Sequence, residues 1–262
     1  MVRQRVESVV IVGSGNVAEA FARALRRAGI TVVQVFARNP VRGRKVARAA
    51  GAQWSCRPGE LAAADLYIIA VSDNALAGVA SSLPFAAQAI VAHTAGCGTL
   101  DSLPAAWPRA VIYPFQTFTA GRRISLRRVP LFVEASDGPT LAAVLHFAGR
   151  LSERVAEADS ALRAQIHLCG VLACNFTNHL YALAAGRLTR AGLDFGVLAP
   201  IISETAAKAV ASGDPRLVQT GPAVRGDSST VARHLAMLDD EPVVKEIYKE
   251  ISNDIWRTSK RD

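Results

Sequence analysis

Between Ser8 and Arg38 the chain reads Ser8-Val-Val-Ile-Val-Gly-Ser-Gly-Asn-Val-Ala18, runs on as a helical stretch to Gly29, and resumes as Thr31-Val-Val-Gln-Val-Phe-Ala-Arg38. The pattern predicts a strand, a tight turn, a helix and a second strand. Val9 to Val12 has no polar break, as expected of a strand buried on both faces of a parallel sheet. Gly13-x-Gly15-x-x-Ala18 follows directly. In that setting the first glycine makes the turn and the second lets backbone approach a pyrophosphate. The small third residue lets helix and strand pack closely. The helix start presents unused N–H groups to the phosphates, so Gly13, Ser14, Gly15, Asn16, Val17 and Ala18 are the expected dinucleotide cradle. The alternative is a glycine turn that serves packing alone.

The end of the second strand chooses the cofactor. An NAD site usually places Asp or Glu there for the ribose hydroxyls. Here the residues are Phe36-Ala37-Arg38-Asn39, with Arg42, Arg44 and Lys45 following. A planar guanidinium at Arg38 suits a 2′-phosphate, so NADP is expected over NAD. Arg42 to Arg48 read as the solvated face of the next helix.

Strand and helix patterns alternate up to about residue 157, which predicts a doubly wound α/β domain over residues 1–157. Leu66 to Val71 is a second continuous apolar strand, ending at Ser72-Asp73-Asn74. Asp73 is the expected cap of the helix that follows, and Ser72 is open to the cofactor. Ala89 to His93 is a further strand, delivering His93 and a loop with Gly96 and Gly98 to the carboxyl edge. His93 there either contacts the nicotinamide side or holds a loop. Ala110 to Tyr113, Val129 to Glu134 and Glu153 to Ala156 complete the strands, and Arg122 to Arg128 reads as surface loop.

From Ser160 the periodicity is helical throughout, predicting an all-helical domain over residues 158–262. A long helix runs to Arg190, capped by Asp159 or Ser160 and closed by Gly192. At about 100° per residue, His167, Cys174, Asn178 and Tyr181 fall within roughly 40° of one line. Val171, Asn175 and His179 lie on the adjoining flank. This polar stripe either lines a substrate cleft or forms a buried network. Thr220 to Asp227 reads as a loop in which Arg225, between glycines, binds an anion or closes a salt bridge within the turn.

Half of the 262 residues are hydrophobic and 20% charged, which marks a globular chain. No apolar run reaches membrane-spanning length without interruption, and Met1-Val-Arg-Gln-Arg lacks the apolar region of a signal peptide. Cys56, Cys97, Cys169 and Cys174 show neither C-x-x-C nor zinc-site spacing, so reduced, mostly buried thiols in a cytoplasmic protein are expected. The net charge of +8 is scattered over helices with few aromatics among the basic residues. That favours an anionic small molecule over nucleic acid.

Five stretches occur in order: Gly13-x-Gly-Asn-Val-Ala18, His93-Thr-Ala-Gly, Tyr113-Pro-Phe-Gln-Thr-Phe, Cys174-Asn-Phe-Thr-Asn-His-Leu-Tyr and Thr220-Gly-Pro-Ala-Val-Arg-Gly-Asp. Together they resemble a bacterial family of Rossmann-like NADP oxidoreductases, often labelled deazaflavin-dependent, although no residue of this chain points to a deazaflavin. The family is similar in architecture to pyrroline-5-carboxylate reductase and to the 6-phosphogluconate and β-hydroxyacid dehydrogenases. The resemblance implies a Rossmann domain, a helical domain that usually makes a homodimer contact, and hydride transfer with a small carbonyl, imine or hydroxyacid compound. An NADP-binding sensor without turnover is the alternative. In the hydroxyacid dehydrogenases this helix carries a catalytic lysine with an asparagine one turn on. His167 stands where that lysine would, with Val171 one turn on and Asn175 a turn later. Members often have His before the proline of the Tyr113-Pro114 motif, where this chain has Tyr. The expected site therefore has His167 as proton donor or orienter, Asn175 on the substrate oxygen and His93 approaching from the sheet. Asn178 lines the substrate, Arg225 holds an anionic group, and the substrate lies between the two domains.

Overall fold

The strands alternate their side chains between two apolar layers, and the helices supply both layers. The computed structural model describes residues 5–259. In β1 (Ser8–Val12), Val9 and Ile11 join a core with Phe21 and Leu25 of α1 (Asn16–Arg27) and Val46 of α2 (Pro40–Ala50). Val10 and Val12 turn to the other face, against Tyr67 of β4 (Leu66–Ile69) and Leu76 of α3 (Asp73–Ser82). A period of two with both faces covered leaves no room for a polar residue, which is why this strand reads as an unbroken apolar run. Each such side chain contributes about 1.5–3 kcal/mol.

The remaining strands are β2 (Thr31–Phe36), β3 (Gln53–Ser55), β5 (Ile90–His93), β6 (Arg109–Pro114), β7 (Leu131–Ala135) and β8 (Val155–Glu157). The eight form one sheet in the order β3-β2-β1-β4-β5-β6-β7-β8. Pairing is parallel from β3 through β6; β7 runs antiparallel to β6, and β8 runs parallel to β7. The order reverses at β1, which puts the glycine turn, the residues after β4 and β5, and the end of β6 on one carboxyl edge. The helix α4 (Gly138–Gly149) covers β6 and β7.

Beyond β8 the described residues are helical: α5 (Ser160–Gly170), a π-helical segment (Val171–Phe176), α6 (Thr177–Arg190), α7 (Ala199–Ser212), α8 (Pro222–Arg225), α9 (Ser228–Ala236) and α10 (Pro242–Thr258). Asp159 caps α5 by accepting from the Leu162 N–H at 2.8 Å, and Gly192 closes α6 with φ 73°. The chain divides into two compact units at Asn175/Phe176, so α5 belongs with the sheet although the last strand ends at Glu157. The reason is local: Arg163 and His167 of α5 are bonded to residues of the sheet and its loops.

Four sequence expectations change. The thiols expected to be mostly buried, Cys56, Cys97, Cys169 and Cys174, are all exposed. Thr220–Asp227 is not all loop, since Pro222–Arg225 forms the short α8. The stripe of His167, Cys174, Asn178 and Tyr181 is interrupted by the π segment, whose wider turn advances each residue by less than the about 100° of an α-helix. By length and mean hydropathy the run Ser160–Arg190 does qualify to cross a membrane. Its single polar residues lower the hydropathy without breaking the helix.

Candidate active site

The glycine turn has the geometry its spacing predicts. Gly13 sits at φ 122°, and a Cβ there would strike the Ala70 carbonyl at the end of β4. Its N–H donates to the Phe36 carbonyl at 2.8 Å, tying the turn to β2. Gly15 is extended, and a Cβ on it would project into space free of protein atoms within 4 Å. It caps α1 with no side-chain hydrogen bond, so the first N–H groups of the helix face outward unsatisfied by a cap. Ala18 is fully buried, as close packing of helix on strand requires. Ser14 and Val17 are half-buried beside it. Asn16 turns aside and donates its amide to the Phe118 carbonyl at 2.9 Å, joining the turn to the loop after β6. A turn with empty space over its second glycine and free N–H groups beneath fits a dinucleotide pyrophosphate.

Arg38 is exposed just beyond β2, with no hydrogen bond or ion pair among the described residues. Its backbone is held: the Ala37 N–H donates to Ser55 at 3.0 Å, and the Ala37 carbonyl accepts from the Trp54 indole at 3.0 Å. Asn39 caps α2, accepting from the Arg42 N–H at 3.0 Å. Ser72, not Asp73, is the cap residue of α3; Asp73 is already inside the first turn, and the Ser72 hydroxyl makes no cap bond. That hydroxyl is exposed at the carboxyl edge, available to a cofactor.

His93 is completely buried and fully occupied. Its Nδ1 accepts from the Ala95 N–H at 3.1 Å, leaving Nε2–H to donate to the Thr99 carbonyl at 3.2 Å. Burial holds the imidazole down at about 4, with the Arg163 charge acting in the same direction. A histidine with both nitrogens spent on its own loop cannot pass a proton, so the expectation of a catalytic His93 is corrected to the loop-holding one.

Two other titratable side chains meet at the end of β6. The Tyr113 hydroxyl lies 3.0 Å from Nδ1 of His167. The His167 ring also packs on the backbone of Gly96, where a Cβ would come within 2.5 Å of Nδ1. One turn on, a Cβ at Gly170 would come within 2.6 Å of the Phe115 ring. Two glycines thus let α5 settle against the sheet edge closely enough for His167 to meet Tyr113. Burial pushes the Tyr113 phenol up to about 12, helped by the neighbouring Cys97 and Asp73 and opposed by Arg163. The glycine turn and Tyr113 stand three strands apart along the edge, about 14 Å at the usual spacing.

Asn175 is exposed at the end of the sheet-bearing unit, its side chain making no hydrogen bond among the described residues. Asn178 is exposed on α6, in the helical unit. Arg225 is exposed as the last residue of α8. It makes no ion pair among the described residues, although its charge helps hold Asp227 down at about 2, after the Thr230 N–H, the Thr230 hydroxyl and Ser229. Tyr113 was legible only as a motif position, because a tyrosine closing an apolar strand reads first as packing. The pair of buried Arg163 with half-buried Glu134 gave no sequence signal.

Residues 8–96 match the family described as NADP oxidoreductase, coenzyme F420-dependent, and residues 129–255 match a domain family of unknown function. No curated protein matches the chain. A solved structure from Bacteroides fragilis, of a protein designated an NADP oxidoreductase, is 36% identical, covers 97% of this chain and 99% of its own, and has a TM-score of 0.87. An imine reductase from Streptomyces aurantiacus is 18% identical with a TM-score of 0.63, covering 95% of this chain and 93% of its own. The 1-pyrroline-5-carboxylate reductase of Streptococcus pyogenes is 11% identical with a TM-score of 0.61, covering 97% and 99%. These last two share the fold.

Proposed function

This chain belongs to the family of the Bacteroides fragilis NADP oxidoreductase, and from that premise we propose that it reduces a small carbonyl or imine compound, or oxidises the matching hydroxyacid, with Tyr113 and His167 handling the proton. It is an NADP-dependent oxidoreductase. Bound at Gly13 to Ala18, with Arg38 on the 2′-phosphate, the cofactor supplies or accepts the hydride.

The observation that carries the reading is the 3.0 Å contact between the Tyr113 hydroxyl and His167 Nδ1 at the end of β6. Reduction adds a hydride to carbon and a proton to oxygen or nitrogen, so the site needs a donor. The neutral pair holds two exchangeable protons and spends one on its own hydrogen bond. If Tyr113 donates to Nδ1, the free donor is Nε2–H of His167. If Nδ1–H donates to Tyr113, the free donor is the phenol O–H. Either tautomer leaves one proton to aim at a substrate. In the second, the departing proton leaves a phenolate that keeps the hydrogen bond from Nδ1–H of His167. A phenol held near 12 keeps that proton throughout the neutral range. Asn175 is the amide assigned to orient the substrate heteroatom.

A second copy of the chain belongs to the same reading. Leu168, Leu172, Phe176 and Leu180 are exposed at four-residue steps along the helical run, and Leu238 is the one buried residue among the described residues of the helical unit. Helices without a core of their own are stabilised by packing against a partner.

The test is oxidation of NADPH over a panel of keto acids, aldehydes and cyclic imines. Turnover of at least one class is expected. Tight NADPH binding with no turnover on any of them would leave a binding-only sensor.

A further inference from the structure

Arg163 is fully buried, an uncommon place for a guanidinium. One of its terminal nitrogens donates to the Glu134 carboxylate on β7 and, at 3.4 Å, to the Ala158 carbonyl. The other donates to the Gly98 carbonyl in the loop after β5 and, at 3.3 Å, to the Ser160 hydroxyl. Ser160 in turn donates to the two Glu134 oxygens at 2.9 and 3.1 Å. The remaining nitrogen, Nε, is buried with no partner among the described residues.

This is a poor arrangement for stability alone. A buried ion pair is often matched or bettered by well-packed apolar side chains, and an orphaned buried N–H costs free energy. Its placement is more informative. Glu134 pairs across the sheet with Val111, two residues before Tyr113. Gly98 lies two residues after Gly96, on which the His167 ring rests. His167 is one helical turn from Arg163 on α5. A single guanidinium therefore fastens the strand pair behind the tyrosine, the loop beneath the histidine and the helix that carries the histidine.

Resting on the reading of Tyr113 and His167 as the proton-handling pair, we infer that Arg163 is a positioning residue that sets the distance between them. It touches neither. It fixes the three pieces of backbone whose relative placement decides whether the 3.0 Å contact forms.

The test compares Arg163→Met and Arg163→Lys with the wild-type full chain. The first readout is nitrogen-15 NMR of His167, which reports its tautomer and the hydrogen bond at Nδ1 without needing a substrate. NADPH affinity is measured alongside. In Arg163→Met the His167 signal is expected to lose its fixed Nδ1 hydrogen bond while NADPH affinity stays within about twofold. On any substrate turned over, kcat falls at least about tenfold with KM less affected. Arg163→Lys keeps the charge beside Glu134 but cannot fork to Gly98, so it shows the same loss and serves if the methionine variant fails to fold. An unchanged His167 signal in the variant that folds overturns the inference. A normal wild-type His167–Tyr113 signal with no turnover on any substrate instead defeats the functional reading and leaves the positioning role standing.

Discussion

At His93 the fold keeps an imidazole neutral, and that has a consequence for stability. Its folded value is about 4, against about 6.5 for the unfolded chain. Between those values the unfolded chain binds a proton that the folded one refuses. Stability is therefore complete above about pH 6.5 and is lost as the pH falls toward 4, by about 3 kcal/mol in all. Urea denaturation at pH 7 and at pH 4.5 should show this slope in the wild type and a flatter one in His93→Gln; equal slopes would mean that His93 titrates normally. Arg38 is the opposite kind of residue, exposed and with no ion pair or hydrogen bond among the described residues. Arg38→Ala should weaken NADPH by about 1.5–3 kcal/mol, one charge-assisted contact, and leave NADH nearly unchanged. Calorimetry with both nucleotides checks it, and an equal loss for the two would remove its selective role. Arg38 and the glycines were readable because their chemistry is local, set by neighbours a few positions away. Tyr113 was not, because its partner His167 lies 54 residues further along the chain.

Among the elements, α5 and the segment after it carry most of what the sequence could not show. A helical wheel assumes one pitch, and the π turn at Val171–Phe176 changes the pitch midway, so faces drawn across it do not align. The start of α5 was readable because Asp159 is a side-chain cap with a local target, the Leu162 N–H. How closely the helix approaches the sheet depends on Gly96 and Gly170, glycines that look ordinary in sequence. Gly96→Ala would place a methyl against Nδ1, Cγ and Cβ of His167, at 2.5, 2.7 and 3.1 Å. The ring and its stem cannot both yield, so the histidine is displaced from Tyr113. NADPH affinity is expected to hold while turnover drops at least about tenfold, about 1.4 kcal/mol or more at the transition state. Turnover equal to wild type would show that the ring moves aside without consequence.

For the whole molecule, the alternation of strands and helices made the sheet-bearing fold readable, since each strand buried on both faces announces itself as an apolar run. The edge reversal at β7 was not, because nothing in a short apolar strand states its direction. The exposed leucines of the helical run were not readable either, because a helical period does not state which face is left to solvent. Sedimentation velocity should therefore find twice 27.7 kDa at micromolar protein without detergent. A monomer there, or solubility only in detergent, would contradict the second-copy reading. The account as a whole stands on the proton-handling pair at the end of β6. Its most direct test is the single-turnover rate of hydride transfer from NADPH to the best substrate of the panel, in wild type, Tyr113→Phe and His167→Ala. The account predicts that each variant binds NADPH normally and transfers hydride about 10²–10⁴-fold more slowly, the usual worth of a positioned acid, with the double variant little slower than either. Rates within a few-fold of wild type in both single variants would contradict it.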